Sequence, residues 1–286
     1  MHKEHWFYLL ITPWLIGLIA FFLLPLTGAL GMTLFEWHLP QSPQWVGAQH
    51  FIRLTADPLF SKTLQNNLLY ALGSVPLGLA LALFLATQLH TKLRSAALLQ
   101  TTFVLPAALT GVATTLLWGW VFNPRYGLIN TLLAQIDIRG PGWLQDEHWA
   151  MPALILISLW SSGINLLVYR AALQTIPAEL YEAAALDGAT PRRRFWHITL
   201  PLLRPVSAYL AVVNFIGALQ LFTPVYLLTG GGPNYATLTL PLYIYQNAFA
   251  WGQIGYAAAL AACLLLITLI FAILQLALWR GDNLPQ

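Results

Sequence analysis

The sequence predicts an all-α integral membrane protein with six transmembrane helices and both termini in the cytoplasm. Three observations support this prediction: charge is scarce, long stretches lack it entirely, and Lys and Arg are unevenly placed. Only 8% of the 286 residues are charged, while 58% are hydrophobic. Soluble domains carry roughly 25% charged residues, and disordered chains combine low hydrophobicity with high charge. The composition therefore excludes an ordinary soluble enzyme and a disordered chain.

Four stretches without Asp, Glu, Lys or Arg are each long enough to cross a bilayer. A helix rising about 1.5 Å per residue needs about 20 residues to span a hydrocarbon core of about 30 Å. The first four predicted spans are residues 7–35, 64–89, 96–122 and 149–169. Helices buried in a soluble core are also apolar, but so many of them would leave no polar faces to meet water.

The first span has a second interpretation. Lys3 precedes an apolar stretch, and small residues follow at Gly28, Ala29 and Gly31, which is the order found in a signal peptide. The apolar stretch is much longer than the 7–15 residues, roughly, of a typical signal peptide. We therefore expect a retained first helix.

A longer uncharged stretch runs from Arg204 to Arg280 and contains the sequence Thr-Gly-Gly-Gly-Pro-Asn at residues 229–234. Gly and Pro are the strongest local signals for turns. We expect two helices here, 205–228 and 255–279, joined by an uncharged external loop. Residues 1–286 then form a single transmembrane domain.

Lys and Arg predict the orientation. With the N-terminus inside, nine of them face the cytoplasm and four face outward, the four being Arg53, Lys62, Arg125 and Arg139. This excess matches the positive-inside rule. The net charge of +3 therefore reflects topology and does not indicate a nucleic-acid partner.

Several kinds of chemistry lack support in the sequence. There is no Gly-x-x-x-x-Gly-Lys-Ser/Thr sequence for binding ATP and no metal-ligand spacing among the histidines. The spans also lack ionisable residues at mid-depth, which proton-driven carriers need, although sodium sites built from backbone carbonyls remain possible. If the chain transports a solute, we expect the energy to come from another protein.

The segment between the fourth and fifth spans predicts two short helices. Pro177 suits a first helical turn and Gly188 suits a helix C-terminus. Thr190 and Pro191 then resemble an N-cap and first residue of a second helix, which we expect Pro201 to end.

The residues of this segment allow two interpretations. Small side chains would let another protein approach closely, and Glu182 and Asp187 would offer it fixed charges; the small residues are Ala183, Ala184 and Ala189. Alternatively, the arginines at 192–194 would favour a loop lying on lipid headgroups. Physical arguments alone do not separate these interpretations.

The spacing in this segment resembles a known family. Glu182-Ala183-Ala184, three residues, Gly188, nine residues and then Ile198-x-Leu200-Pro201 resemble the EAA signature of permease subunits in binding-protein-dependent ABC importers. Asp187-Gly188-Ala189 is the usual form in the group, and the core pattern is complete. Residues 160–177 and 228–233 resemble the carbohydrate-uptake branch of these permeases.

The resemblance implies a type I importer fold without catalytic activity, cofactor or metal in this chain. It implies a heterodimer with a second, homologous permease, two ABC ATPase subunits that bind ATP and Mg, and an external solute-binding protein. The location would be the cytoplasmic or inner membrane of a bacterium or archaeon. Residues 177–201 would form the coupling segment, with the ATPase contacts at Glu182, Ala183, Ala184, Asp187, Gly188, Ala189, Ile198 and Pro201.

Uncharged polar and aromatic residues in the spans are candidates for contacting the solute. The candidates are Trp160 together with Asn165, Asn214 together with Gln220, and Tyr226. Amides hydrogen-bond sugar hydroxyls and aromatic faces stack on sugar rings, but hydrogen bonds between helices are an equally good explanation. We expect a neutral sugar, oligosaccharide or sugar-like osmolyte. An importer of another polar solute, such as glycerol phosphate, is the alternative, and an ion-coupled carrier is less well supported.

Overall fold

The computed structural model describes residues 3–38, 41–90 and 111–281, and most of them are helical. In the described ranges, strands occur only as a two-residue hairpin, β1 (Phe35–Glu36) with β2 (Gln44–Trp45). The predicted all-α fold is thus confirmed. The chain divides into two compact units, residues 1–60 with 243–267 and residues 61–242 with 268–286.

The first unit begins with an uninterrupted helical run. It consists of α1 (Lys3–Leu18), a π-helical turn (Ile19–Leu23) and α2 (Leu24–Met32). Between Leu10 and Met32 it is strongly apolar and none of it is buried within the protein. An apolar helix that is exposed on all sides fits a hydrocarbon environment.

A half-buried carboxylate joins several parts of the first unit. Asp57, between α3 (Gln49–Ala56) and α4 (Pro58–His90), accepts hydrogen bonds from the hydroxyls of Tyr243 (2.7 Å) and Tyr256 (2.5 Å). The Arg53 guanidinium lies 4.0 Å from the centre of the Tyr256 ring. Burial would raise the pKa of the Asp57 carboxyl, but the hydrogen bonds from the tyrosines and from the backbone at the start of α4 lower it below its usual value.

The second unit contains most of the other helices. In chain order these are α5 (Gly111–Val121), α6 (Leu128–Ala134), α7 (Ala150–Trp160), α8 (Gly163–Gln174), α9 (Ala178–Leu186), α10 (Pro191–Arg194), a π-helical turn (Phe195–Thr199), α11 (Leu200–Leu202), α12 (Arg204–Leu219) and α13 (Thr223–Leu228). Three further elements complete the chain: α14 (Leu240–Tyr245), a π-helical turn (Gln246–Ala250) and α15 (Ile254–Gly281).

The helices account for most of the predicted spans. In the described part of the chain, four helical runs are long and apolar enough to cross a membrane: Leu10–Met32, Pro58–Leu89, Arg204–Leu228 and Ile254–Gln275. The bent pair α7 and α8 is a fifth candidate. The remaining predicted span, 96–122, lies partly outside the described residues, and α5 covers its end. The number of six and the orientation of the termini stay predictions.

The structure differs from the sequence prediction in two connections. The predicted span 205–228 is broken at Gln220, where α12 ends, and resumes at Thr223. The expected external loop after residue 228 contains α14 and a π-helical turn. Leu238, Leu240 and Leu242 in this connection are each only 1% exposed. Burial of their side chains is the reason that the segment folds as part of the core.

The amide of Asn67 joins these two irregular regions to α4. Its Nδ2 donates to the Leu219 carbonyl at 2.7 Å, and its Oδ1 accepts from the Leu240 N–H at 2.8 Å. The side chain is almost fully buried. A helix end within a membrane protein has main-chain groups that no water satisfies. Asn67 provides partners for two of them at once.

The neighbouring Asn66 holds the same connection through two other carbonyls. Its Nδ2 donates to the carbonyls of Tyr235 (2.8 Å) and Leu238 (2.9 Å). Thr239 adds a hydrogen bond from its hydroxyl to the Leu221 carbonyl at 2.8 Å. These contacts satisfy two carbonyls in the connection before α14 and the Leu221 carbonyl between α12 and α13.

We expect Asn67→Leu to destabilise the second unit. Leucine has a similar size but leaves the Leu219 carbonyl and the Leu240 N–H buried without partners. Each such group costs about 1–3 kcal/mol, so the free energy of unfolding should fall by roughly 2–6 kcal/mol. Thermal unfolding of the purified protein in detergent measures the change. Gln135→Leu, on an exposed side chain, is the control, and an equal melting temperature in both variants would contradict the assignment.

Candidate functional site

The second unit contains a cavity of about 380 Å³ between α4, α7, α8, α12 and α13. Its lining combines aliphatic residues with hydroxyl and amide groups. The polar lining residues are Tyr70, Ser74, Ser158, Ser161, Ser162, Asn165 and Asn214. None of the lining residues that the structure describes is charged.

Two asparagines from different helices form a pair in the wall of this cavity. Asn165 on α8 donates from Nδ2 to the Asn214 Oδ1 at 2.9 Å, and Asn214 on α12 donates back at 3.0 Å. Asn214 also donates to the Leu210 carbonyl at 2.8 Å. An amide has two N–H donors and an oxygen with two lone pairs. The pair therefore bonds the helices together and still has hydrogen-bonding capacity for a solute.

A bend brings three hydroxyl groups to the same cavity. Helices α7 and α8 meet at 45°, and the two residues between them are Ser161 and Ser162. Gly78 on α4 lies close to this bend, since a Cβ atom there would be 3.2 Å from the Ser162 Oγ. Together with Ser158, the bend lines one side of the cavity with small polar groups.

The structure does not form the pairs expected from the sequence. Trp160 lies at the end of α7, packs edge-to-face against Trp118 at 5.7 Å and is 41% exposed. Gln220 is the exposed C-cap of α12, and Tyr226 stacks on Phe222 at 5.3 Å. None of these three predicted residues is in the cavity lining. Asn165 and Asn214 meet each other instead, which is the interhelical bond that the sequence offered as an alternative.

Sequence reasoning missed the hydroxyl residues of the cavity. Ser158, Ser161 and Ser162 are three and four residues apart within an apolar span, so they share part of a helix surface. That spacing could have indicated a polar helix surface facing a cavity. Tyr70 and Ser74 have the same spacing on α4, and their position opposite the serines follows only from the packing of the helices.

A second candidate surface is the turn after α9. Gly188 has a φ of 77°, a left-handed conformation that favours glycine. Its N–H donates to the Ala185 carbonyl at 3.1 Å, and the Ala189 N–H donates to the Ala184 carbonyl at 2.9 Å. These two bonds complete a Schellman motif. The predicted helix end at Gly188 is therefore confirmed.

The turn presents an exposed surface. Glu182, Ala183, Asp187 and Gly188 are all exposed. Leu186 is 90% exposed, which is unusual for a large apolar side chain at the tip of a helix. Leu186 is a surface residue that the sequence analysis did not single out.

The next helical run is longer than predicted. Thr190 caps α10 by accepting from the Arg193 N–H at 3.3 Å, as expected. The prediction that Pro201 ends this run is wrong, because the helix continues to Leu202. A π-helical turn precedes Pro201, and its bond from the Leu200 N–H to the Phe195 carbonyl widens the turn. The wider turn makes room for the proline ring and its missing N–H.

Comparisons with known proteins agree with this architecture. The arabinooligosaccharides transport system permease protein AraP of Bacillus subtilis is 32% identical over 286 residues, covering 96% of this chain and 90% of the relative. The sn-glycerol-3-phosphate transport system permease protein UgpA of Yersinia enterocolitica is 37% identical over 279 residues, covering 94% and 92%.

A crystal structure of a bacterial ABC transporter involved in the import of the acidic polysaccharide alginate has a similar chain. The TM-score is 0.88 at 25% identity, and the match covers 99% of this chain and 98% of the other. The family model for the inner membrane component of binding-protein-dependent transport systems matches residues 58–281. The fold expected from the resemblance is confirmed, and the chain is a multi-pass membrane protein that belongs to the binding-protein-dependent transport system inner membrane component family.

Proposed function

We propose that this chain is the permease subunit of an ATP-driven importer for a sugar, an oligosaccharide or a sugar-like osmolyte. The observation that carries the proposal is the uncharged polar cavity between the helices of a chain of this family. Hydroxyl and amide groups within an apolar wall suit a solute with many hydroxyls and no net charge. In support, AraP and the alginate transporter, which are similar to this chain, are named for the transport of saccharides.

An importer for another polar solute is the second candidate. The name of UgpA favours sn-glycerol 3-phosphate. A phosphate group buried in this cavity would need a positive partner, and the described lining supplies none. For this candidate, a second permease would have to supply that charge. An ion-coupled carrier has less support, because the spans have no ionisable residue at mid-depth for an ion or proton to use.

The remaining parts of the proposal concern the partners. A homologous permease completes the pathway, an external binding protein delivers the solute, and two ABC ATPase subunits bind ATP with Mg. The assembly lies in the cytoplasmic or inner membrane of a bacterium or archaeon. In support, the Schellman turn at Gly188 offers a rigid, exposed and uncovered surface to a protein partner. Glu182 and Asp187 add negative charge to that surface.

The identity of the solute is testable on the assembled transporter. We expect the copurifying binding protein to hold a neutral saccharide, and the loaded form to stimulate ATP hydrolysis in proteoliposomes. A sugar phosphate should compete poorly for uptake. A binding protein that holds only a phosphorylated solute would favour the second candidate, and uptake driven by an ion gradient without ATP would contradict an ATP-driven importer.

Gly188→Val should uncouple ATP hydrolysis from the loaded binding protein. A Cβ atom at Gly188 has nothing within 4 Å, so the effect is conformational and not a clash. Valine strongly disfavours the left-handed backbone, and the turn would distort. Gly188→Asn is the matched control, since asparagine tolerates this conformation. Stimulated ATPase activity measures the outcome, and full stimulation in the valine variant would count against this surface.

The asparagine pair has a test that separates solute contact from helix packing. Replacing both residues, Asn165→Leu with Asn214→Leu, removes both partners and should change the melting temperature little. If the amides contact solute, the apparent KM for uptake should rise by roughly 5–100-fold, which corresponds to two lost hydrogen bonds of about 0.5–1.4 kcal/mol each. Wild-type uptake by a stable double variant would show that the pair serves packing alone.

A further inference from the structure

A groove of about 840 Å³ lies in the second unit, between the last turns of α4 and the helical run that follows Thr190. It is separate from the cavity that contains the asparagine pair. Its walls include Phe84 and Thr87 from α4, and Arg194, Trp196 and Leu200 from α10 to α11. The groove shares no lining residue with the other cavity.

The walls of the groove are mainly hydrophobic and open. Phe84 is 59% exposed and Trp196 is 55% exposed. The part of α4 that lines the groove runs from Ala80 to Gln88, which is about 12 Å at 1.5 Å per residue. This length covers the end of a membrane span and the adjoining interface. Tryptophan is enriched at such interfaces because its ring is amphipathic.

Arg194 places a positive charge at this apolar groove. Its Nε is fully buried and has no hydrogen-bond acceptor in the part of the chain that the structure describes. Arg192 and Arg193 are exposed on the same short helix. No acidic side chain within residues 3–38, 41–90 and 111–281 forms an ion pair with these arginines. Arg194 as a whole is only half-buried, so an anionic group would reach the accessible part of its guanidinium and not the buried Nε.

We propose that this groove binds an acidic phospholipid of the cytoplasmic leaflet. The phosphate accepts hydrogen bonds from Arg194, and an acyl chain lies along Phe84 and Leu200 toward the membrane interior. The guanidinium fork matches the geometry of a phosphate, and basic pockets beside transmembrane helices recognise acidic headgroups. The proposal rests on the cytoplasmic orientation of residues 177–201 in the proposed function, but not on the identity of the solute. The bound lipid would stabilise the helical run from α10 to α11, which follows the Gly188 turn.

The test is lipid retention by the full-length chain purified from membranes in mild detergent. Mass spectrometry counts phosphatidylglycerol and cardiolipin against phosphatidylethanolamine. We expect Arg194→Met to retain about fivefold less acidic lipid, the effect of one interfacial basic residue. Arg192→Met makes the same charge change nearby but outside the groove lining, and should retain the wild-type amount.

A second variant tests the groove without changing charge. Thr87→Trp fills the space beside Phe84 and should lower acidic and neutral lipid retention together, while thermal unfolding confirms a folded protein. Equal acidic lipid in Arg194→Met and wild type would overturn the proposal. An equal loss in Arg192→Met would overturn it as well, because it would show a general attraction of charge. Uptake and ATPase assays are not part of this readout, so a failure here is distinct from a failure of the proposed function.

Discussion

The fold depends on one requirement, that a main-chain N–H or C=O group removed from water must find a partner inside the protein. A continuous helix meets this requirement alone, but α12 ends at Leu219 and α14 begins at Leu240. The side chain of Asn67 satisfies one main-chain group at each of these points. The helices can therefore be interrupted inside the protein, because Asn67 on α4 lies within hydrogen-bonding distance of both main-chain groups.

The breaks also shape the candidate pathway. The bend at Ser161 and the end of α12 shorten the apolar helices just where small polar groups collect around the cavity. A straight helix would present a full turn of side chains there and leave less space. Uncharged polar groups cost less to bury than charges do, and Asn165 and Asn214 lower that cost further by bonding to each other. The same groups can exchange these partners for those of a neutral solute.

The segment from residue 177 to residue 201 combines a hydrogen-bonded turn with an exposed surface. The Schellman bonds at Gly188 and the Thr190 cap satisfy the backbone locally, so the turn needs no support from a large core. Tyr181 ties α9 to the following run through a 2.9 Å hydrogen bond with Thr199. This hydrogen bond fixes α9 against the following run. The groove beside Arg194 is lined by residues of the same run, so the lipid contact and the protein contact that we propose would lie on one element.

The amino-acid sequence alone was enough to predict the membrane class, most of the helices and the turn at Gly188. These features depend on properties that run along the chain: the length of uncharged stretches, the preference of glycine for a left-handed backbone, and a threonine at a helix start. The helix in the connection after residue 228 and the continuation past Pro201 were missed, because buried leucines and a π-helical turn outweighed the local signals of glycine and proline. The partners of the amides were also out of reach. Asn165 bonds to Asn214, 49 residues away, and Asn67 bonds to Leu240, 173 residues away. Such partners depend on how the helices pack against one another, and the spacing of residues along the sequence does not reveal that packing.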